Sequence, residues 1–150
     1  MANWNKLAYP LFYDRFIELF NEVKELKKKN PENYKSHKKA KMFACVLRSV
    51  ITVVPTDPTS SKFHLGNTLG KKHRSWKRVK DGLPRRYRLF FRYMLSEKTI
   101  IYTWLNDEYT IRKAGGKKDV YRFFRKMLEN DTIPNNYQEL KKQSKSLPGS

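Results

Sequence analysis

Apolar side chains recur at spacings of three and four residues in two stretches of the N-terminal third. The first stretch, residues 10–28, has the stripe Phe12, Phe16, Leu19, Phe20, Val23 and Leu26. This spacing predicts an amphipathic helix. A second helical stripe runs through residues 40–54, with Asn30 and Pro31 predicted as its N-cap and first-turn proline. Pro55 is expected to end that helix.

The pattern changes after a connection rich in Pro, Ser, Thr and Gly at residues 56–70. Short runs of aromatic and β-branched residues follow at residues 76–80, 86–93 and 99–105. Turn-forming residues separate these runs. They predict three antiparallel strands.

A last apolar face lies in residues 119–128, where Asp119 is in a position to cap a helix. Residues 141–150 are polar and basic, and we predict that they form a disordered tail. Two helices, a small antiparallel sheet and a packing helix predict an α+β fold. The length suits one domain, which we place at residues 1–140.

Charge changes this picture from a plain globular domain to one that binds a polyanion. Lys and Arg number 33 against 14 Asp and Glu, a net charge of +19. Nucleic acid, an anionic membrane surface and an acidic protein all fit that charge. The sequence has no apolar run of about 20 residues and no signal-peptide pattern, which predicts a cytoplasmic protein.

Alternation along the middle predicted strand gives it two different faces. Tyr87, Leu89, Phe91 and Tyr93 form an apolar face, whereas the opposite face is mainly arginine. If the apolar face packs on the helices, the arginines are exposed, where guanidinium groups bind phosphate and rings stack bases. A merely solvated sheet face is the competing interpretation. The predicted RNA-binding residues are Trp76, Lys77, Arg78, Arg86, Arg92 and Lys117.

Other reactive residues give weaker signals. His64 and His73 are candidate acid–base groups in the connection, and His37 is expected to be a solvated residue. Asp107 and Glu108 follow a strand, where a turn-capping role is favoured over catalysis. No His or Cys spacing fits a metal site, so no cofactor is expected.

Four blocks of the chain carry a resemblance: NPENYKSHKKAK, SWKRVKDGLPRRYRLFFRY, TIIYTWLNDEYTIRKAGGKKDVY and FRKML. In these blocks the chain resembles the YhaV family of type II toxins, within the broader RelE/ParE-like class. The resemblance implies a RelE-like fold and an endoribonuclease that cleaves mRNA without a metal ion, inhibiting growth.

The resemblance also implies which residues carry the chemistry. RelE proteins have a Lys-x-Lys pair and a Tyr-Arg-Leu strand, which match residues 78–80 and 87–89. A further arginine and a tyrosine that opens the last helix have their nearest matches in Arg112 and Tyr121. Arg88 and Arg112 would hold the scissile phosphate, and Lys80 and Tyr121 are the proton-transfer candidates.

Partners follow from the same resemblance. YhaV toxins pair with a PrlF-type antitoxin, and RelE proteins commonly cut mRNA on the ribosome, which is therefore a candidate partner. Promoter DNA is expected to bind only the toxin–antitoxin complex. Two alternatives stay open: a non-catalytic RNA- or ribosome-binding module, and a ParE-like toxin directed at DNA gyrase.

Overall fold

The fold is a five-stranded sheet with helices on both faces. The computed structural model describes residues 3–113 and 119–147, and of residues 111–113 and 119 it describes the backbone alone. The elements are β1 (Asn5–Ala8), α1 (Pro10–Lys29), α2 (Lys38–Arg48), α3 (Val54–Thr56), β2 (Lys77–Val79), β3 (Leu89–Met94), β4 (Thr99–Leu105), α4 (Glu108–Lys113), α5 (Asp119–Glu129), α6 (Tyr137–Lys142) and β5 (Lys145–Ser146). Among the helices so described, none combines the length and apolar composition needed to cross a bilayer.

The strands follow the order β2-β3-β4-β1-β5 in the sheet. The pair β1–β4 is parallel, and the other three neighbouring pairs are antiparallel. The predicted α+β class is confirmed. The prediction of three strands was incomplete, because β1 and β5 extend the sheet beyond β4.

Helices α1 and α2 cover one face of the sheet. Phe12 and Phe16 of α1 are buried as predicted and pack with Leu89, Phe91 and other sheet residues in one core. The prediction of an amphipathic helix from residue 10 is confirmed. The proline at its first position has a fixed φ that suits a helix start.

The start of the second helix differs from the prediction. Helix α2 begins at Lys38, and Pro31 lies in the preceding turn. His37 is its N-cap, because its Nδ1 accepts a hydrogen bond from the Lys39 backbone N–H at 3.1 Å. The His37 side chain is exposed, which confirms the prediction of a solvated residue, and it also caps the helix. A π-helical turn, Ser49–Val53, then joins α2 to α3, so Pro55 lies within helical structure.

Helices α5 and α6 cover the opposite face, which the sequence predicted to be open. The ring of Phe124, on α5, stacks on Phe90 of β3 with 4.1 Å between centroids. Trp104 of β4 lies against the same ring at 5.9 Å. These three aromatic rings belong to a second core that fixes α5 on the sheet. The prediction of an exposed strand face was therefore wrong for most of that face.

A β-bulge places the aromatic residues of β4 on their proper faces. The register runs from Phe90 opposite Trp104 to Phe91 opposite Tyr102, so Thr103 is an extra residue on β4. Trp104 consequently lies in the same core as Phe90, and Tyr102 lies in the other core with Phe91.

Residues 141–147 are ordered, which corrects the prediction of a disordered tail for these residues. Helix α6 ends at Lys142, and β5 pairs with β1. Leu147 is buried, and its backbone N–H donates to the Lys6 carbonyl oxygen. Burial of this leucine and one more strand pairing stabilise a segment that looks polar in sequence.

Candidate functional site

The phenol of Tyr121, in the first turn of α5, joins two arginines from neighbouring parts of the sheet. Its oxygen accepts a hydrogen bond from Arg78 Nε at 3.1 Å and another from Arg88 Nε at 3.1 Å. Arg78 is the central residue of β2, and Arg88 directly precedes β3. We call these three side chains the Arg–Tyr–Arg cluster.

Strand register and aromatic packing explain how the cluster forms. Arg78 lies opposite Phe90, so both side chains face α5. Tyr121 is one helical turn before Phe124, and its ring packs edge-on against Phe90 at 5.8 Å. The same packing that fixes α5 on the sheet therefore places the phenol between the two guanidinium groups.

The hydrogen bonds within the cluster leave donors for a ligand. Arg78 Nη1 donates to the carbonyl oxygens of His64 and Lys62, and Arg88 Nη1 donates to that of Tyr87. The described hydrogen bonds thus use Nε and Nη1 of each guanidinium, and none of them uses Nη2. A phenol oxygen that accepts two hydrogen bonds has its own O–H directed elsewhere. The cluster can donate from three groups to one anion.

Within the part of the chain that the structure describes, carboxylates do not neutralise the charge of the cluster. Among the described residues, no hydrogen bond or ion pair of Arg78, Arg88 or Tyr121 goes to an Asp or Glu side chain. The same part of the chain contains no group of three His, Cys, Asp or Glu residues placed to hold a metal ion. Two adjacent guanidinium groups without counter-charges suit a phosphate.

The residues before Arg88 form a turn rather than the start of the predicted strand. Arg86 has φ of 72°, in the left-handed region that non-glycine residues seldom adopt. Asn106, at the end of β4, holds this turn from the side. Its Oδ1 accepts from the Arg88 backbone N–H at 2.7 Å, and its Nδ2 donates to the Arg86 carbonyl oxygen at 3.0 Å. The side chain of Arg86 is exposed.

Two predicted RNA-binding residues have structural roles instead. Trp76 was expected as an exposed ring for a base, but it is fully buried, and its Nε1 donates to Asn135 Oδ1 at 2.8 Å. The guanidinium of Arg92 lies over the rings of Trp76 and Tyr137, 5.2 and 5.7 Å from their centroids. It also donates to the Asn135 carbonyl oxygen, and burial lowers its pKa. The expectation that Trp76 faces solvent was wrong, and Arg92 is half-buried, because α5 and α6 cover that part of the face.

The other predicted site residues differ in what the structure says of them. Lys80 directly follows β2 and is exposed, within two residues of Arg78. Lys77 is half-buried, its Nζ donates to the Arg74 carbonyl oxygen, and burial lowers its pKa, with Arg92 acting in the same direction. Arg112 is part of α4, but its side chain lies outside the described residues, as does Lys117.

The structure also shows the surroundings of His64, His73 and Asp107. His64 is exposed beside β2, where its backbone bridges to Lys77. Asp107 caps a turn, because its Oδ1 accepts from the backbone N–H and hydroxyl of Thr110 at 2.8 and 2.9 Å. This confirms the structural role favoured for Asp107. His73, the other candidate acid–base group, lies in a 3-10 turn of the connection and is buried, with 3% of its surface exposed.

Burial of His73 makes stability depend on pH. Burial lowers its pKa below the ordinary value of 6.5, and Lys72 acts in the same direction. The unfolded chain therefore takes up this proton first as the pH falls, and stability present above pH 6.5 is lost below it. We expect the free energy of unfolding to fall less between pH 7.5 and about 5.5 in His73→Leu than in wild type. Denaturant unfolding at both pH values, with His64→Leu as the exposed control, measures this; equal losses in all three proteins would contradict it.

Comparison with known proteins places this chain in a family. A family model described as a toxin with endonuclease activity, of a toxin–antitoxin system, matches residues 6–145. The chain belongs to the YhaV toxin family. It is a toxin with endonuclease activity, and the matched range contains Arg78, Arg88, Asn106 and Tyr121.

Curated YhaV proteins match along nearly the whole chain. Ribonuclease toxin YhaV of Escherichia coli (strain K12) is 40% identical over 142 residues, which are 94% of this chain and 92% of that protein. Toxin YhaV of Escherichia coli O157:H7 is similar to the same extent. No solved structure matches this chain.

The sequence predicted some residues of the Arg–Tyr–Arg cluster and missed others. It proposed Tyr121 and Arg88 from the family resemblance and assigned Arg78 only to RNA binding. The hydrogen bond between Arg78 and Tyr121 joins residues that are 43 positions apart, and no local pattern reveals it. Asn106 was not predicted to have a role in the site. Its place directly after an apolar strand was the available signal, since buried asparagine must find partners.

Proposed function

We propose that this toxin is a metal-independent endoribonuclease that cleaves mRNA at the Arg–Tyr–Arg cluster. The observation that carries the proposal is the pair of Nε hydrogen bonds from Arg78 and Arg88 to the one phenol oxygen of Tyr121. This contact fixes two phosphate-binding groups and a hydroxyl donor around one point. The ribonuclease name of the relative that is 40% identical supports RNA as the substrate.

RNA supplies its own nucleophile, which fits a site built from cations and a phenol. The ribose 2′-hydroxyl is tethered next to the phosphorus atom, so the site has only to align the groups and stabilise charge. Nη2 of Arg78 and of Arg88 would bind the non-bridging oxygens. Guanidinium groups suit this task because they stay charged throughout the reaction.

Cleavage of the RNA strand in this way needs no added reactant. The 2′-oxygen forms a bond to phosphorus, and the bond from phosphorus to the 5′-oxygen breaks. The proton of the 2′-hydroxyl passes to solvent or to the amine of Lys80 in its uncharged form, and Tyr121 donates a proton to the departing 5′-oxygen. The products are a 2′,3′-cyclic phosphate and a 5′-hydroxyl end.

Further basic residues would extend the binding surface around the cluster in a RelE-like arrangement. Arg86 is exposed on the turn next to Arg88, and Lys80 is exposed at the end of β2. We also propose Arg112 for the scissile phosphate, and Lys77 and Lys117 for flanking phosphates. Their contribution would depend on salt concentration more than that of the cluster does.

The test uses two RNA oligonucleotides that differ at one position. Wild-type protein is incubated with each, with excess chelator present, and the ends of the products are mapped. One oligonucleotide is all-ribose, and the other has a 2′-deoxyribose at the cleaved position. We expect cutting of the first alone, with a 2′,3′-cyclic phosphate and a 5′-hydroxyl at the new ends.

Two results would overturn the proposal. Cleavage that stops when chelator is added, or that proceeds at the 2′-deoxy position, would mean hydrolysis by water and not attack by the ribose. Binding of RNA with no cutting of either oligonucleotide, with or without ribosomes, would favour the non-catalytic module.

An antitoxin partner follows from membership of a toxin–antitoxin system. We propose that it is of the PrlF type and that acidic or apolar segments of it cover the basic cluster. Ribosomes are the proposed setting of mRNA cleavage, in the cytoplasm, with promoter DNA bound only by the joint complex. The net charge of +19 supports an acidic partner surface.

A further inference from the structure

The Asn106 side chain makes both of its described hydrogen bonds to the backbone of the turn that carries Arg88. It accepts from the Arg88 N–H at 2.7 Å and donates to the Arg86 carbonyl oxygen at 3.0 Å. The side chain is fully buried, with 0% of its surface exposed. An amide in this arrangement fixes the two ends of the turn relative to β4.

The turn requires such a support. Arg86, whose carbonyl oxygen accepts one of these bonds, has φ of 72°, a conformation that L-residues with a Cβ populate at a cost. The residue type at position 86 does not favour this conformation, since it is not glycine, asparagine or aspartate. The amide of Asn106 compensates by pairing one donor and one acceptor of the turn backbone.

The turn sets the direction in which the Arg88 side chain leaves the chain. Arg88 lies directly before β3. Because Asn106 accepts a hydrogen bond from the Arg88 N–H, it fixes the position of the neighbouring Arg88 Cα. From there the guanidinium reaches the Tyr121 oxygen at 3.1 Å. A shift of the backbone of about 1 Å at such a residue can cost a factor of 10² in rate.

We propose that Asn106 is a positioning residue for cleavage, which holds the turn at residues 86–88 so that Arg88 meets Tyr121. It acts through Arg88 and not through the substrate. The inference rests on the proposed ribonuclease function. It predicts that the Asn106 amide affects the rate of cutting far more than the affinity for RNA.

Asn106→Ala is the first variant, and Asn135→Ala is its matched control. The amide of Asn135 accepts from Trp76 Nε1, so its removal also breaks a side-chain hydrogen bond but leaves the turn intact. We expect the single-turnover cleavage rate of Asn106→Ala to fall on the order of 10²-fold. The Kd for the uncleavable 2′-deoxy RNA should change less than about 3-fold, which is under 1 kcal/mol. A parallel loss of affinity and rate would overturn the proposal.

A glycine at position 86 provides a rescue test. Glycine adopts positive φ without a Cβ clash, so Arg86→Gly lowers the need for the amide support. The loss caused by Asn106→Ala should therefore be at least several-fold smaller in the Arg86→Gly background than in wild type. An equal loss in both backgrounds would mean that Asn106 does not act through this turn.

A readout without RNA separates this proposal from the proposed function. The Arg88 Nε–H signal in a nitrogen–proton NMR spectrum should be displaced by the Tyr121 oxygen in wild type and return towards that of an exposed arginine in Asn106→Ala. Denaturant unfolding of the same sample shows whether the variant is folded. If wild type cuts no RNA but the signal behaves as expected, the ribonuclease proposal fails and the positioning role stands. If the signal is unchanged in the folded variant, the positioning role fails.

Discussion

Replacing Arg88 with alanine is expected to slow RNA cleavage by roughly 10³-fold while the protein stays folded. The guanidinium is half-buried and contributes one of the two hydrogen bonds to the Tyr121 oxygen. Its loss removes a phosphate donor and leaves the phenol held from one side only. Single-turnover cleavage of the all-ribose oligonucleotide measures the effect, together with growth inhibition in cells.

Arg125→Ala is the matched control for this prediction. Arg125 lies on the same helix as Tyr121, is exposed, and pairs with Glu129 at 3.1 Å, an ion pair of small energetic weight. Its variant should cut RNA at nearly the wild-type rate. Arg88→Lys keeps the charge but lacks the planar fork, so we expect little recovery. A soluble Arg88→Ala protein with wild-type cutting would remove Arg88 from the site.

Tyr121→Phe is expected to lower the cleavage rate by about 10²-fold with little change in RNA affinity. Phenylalanine keeps the ring that packs on Phe90, so α5 stays in place. The change removes only the oxygen that both guanidinium groups share and the hydroxyl donor. Rate and affinity are measured separately, with the 2′-deoxy RNA as the binding probe.

Tyr34→Phe controls for loss of a phenol elsewhere. Tyr34 lies in a 3-10 turn between α1 and α2, under the ammonium of Lys27. The pH dependence of the rate then distinguishes two roles for Tyr121. A proton donor contributes a limb to that profile, which Tyr121→Phe should abolish. A lowered rate with an unchanged profile would show that the phenol only spaces the two arginines.

Local patterns predicted the longer helices and strands. Helix α1 buries Phe12 and Phe16 at helical spacing, and β4 was predicted with the bounds Thr99–Leu105 that it has. Strand β1 was missed because it is four residues long and pairs in parallel with β4, almost a hundred residues later. Such a pairing depends on the whole chain and leaves no periodic signal in the segment itself.

In the candidate site, too, the sequence predicted the features that depend on neighbouring residues and missed those that depend on distant ones. Alternation correctly put Arg78, Phe90 and Arg92 on one face of the sheet. It said nothing about what lies above that face, so Trp76 was wrongly expected to be exposed. The cover by α5 follows from the apolar pattern of Phe124 and its neighbours, which could pack on either face. The positive φ of Arg86 was hidden because the residue is not of a type that favours it.

The position of β1 in the sheet bears on when the toxin can act during its own synthesis. This strand comes first in the chain, yet it lies between β4 and β5, which the ribosome delivers last. The sheet can therefore close only after residue 146 has left the exit tunnel, and Tyr121 is also late to emerge. The Arg–Tyr–Arg cluster would therefore form only after most of the chain has been synthesised, because it needs Tyr121 of α5 as well as Arg78 and Arg88.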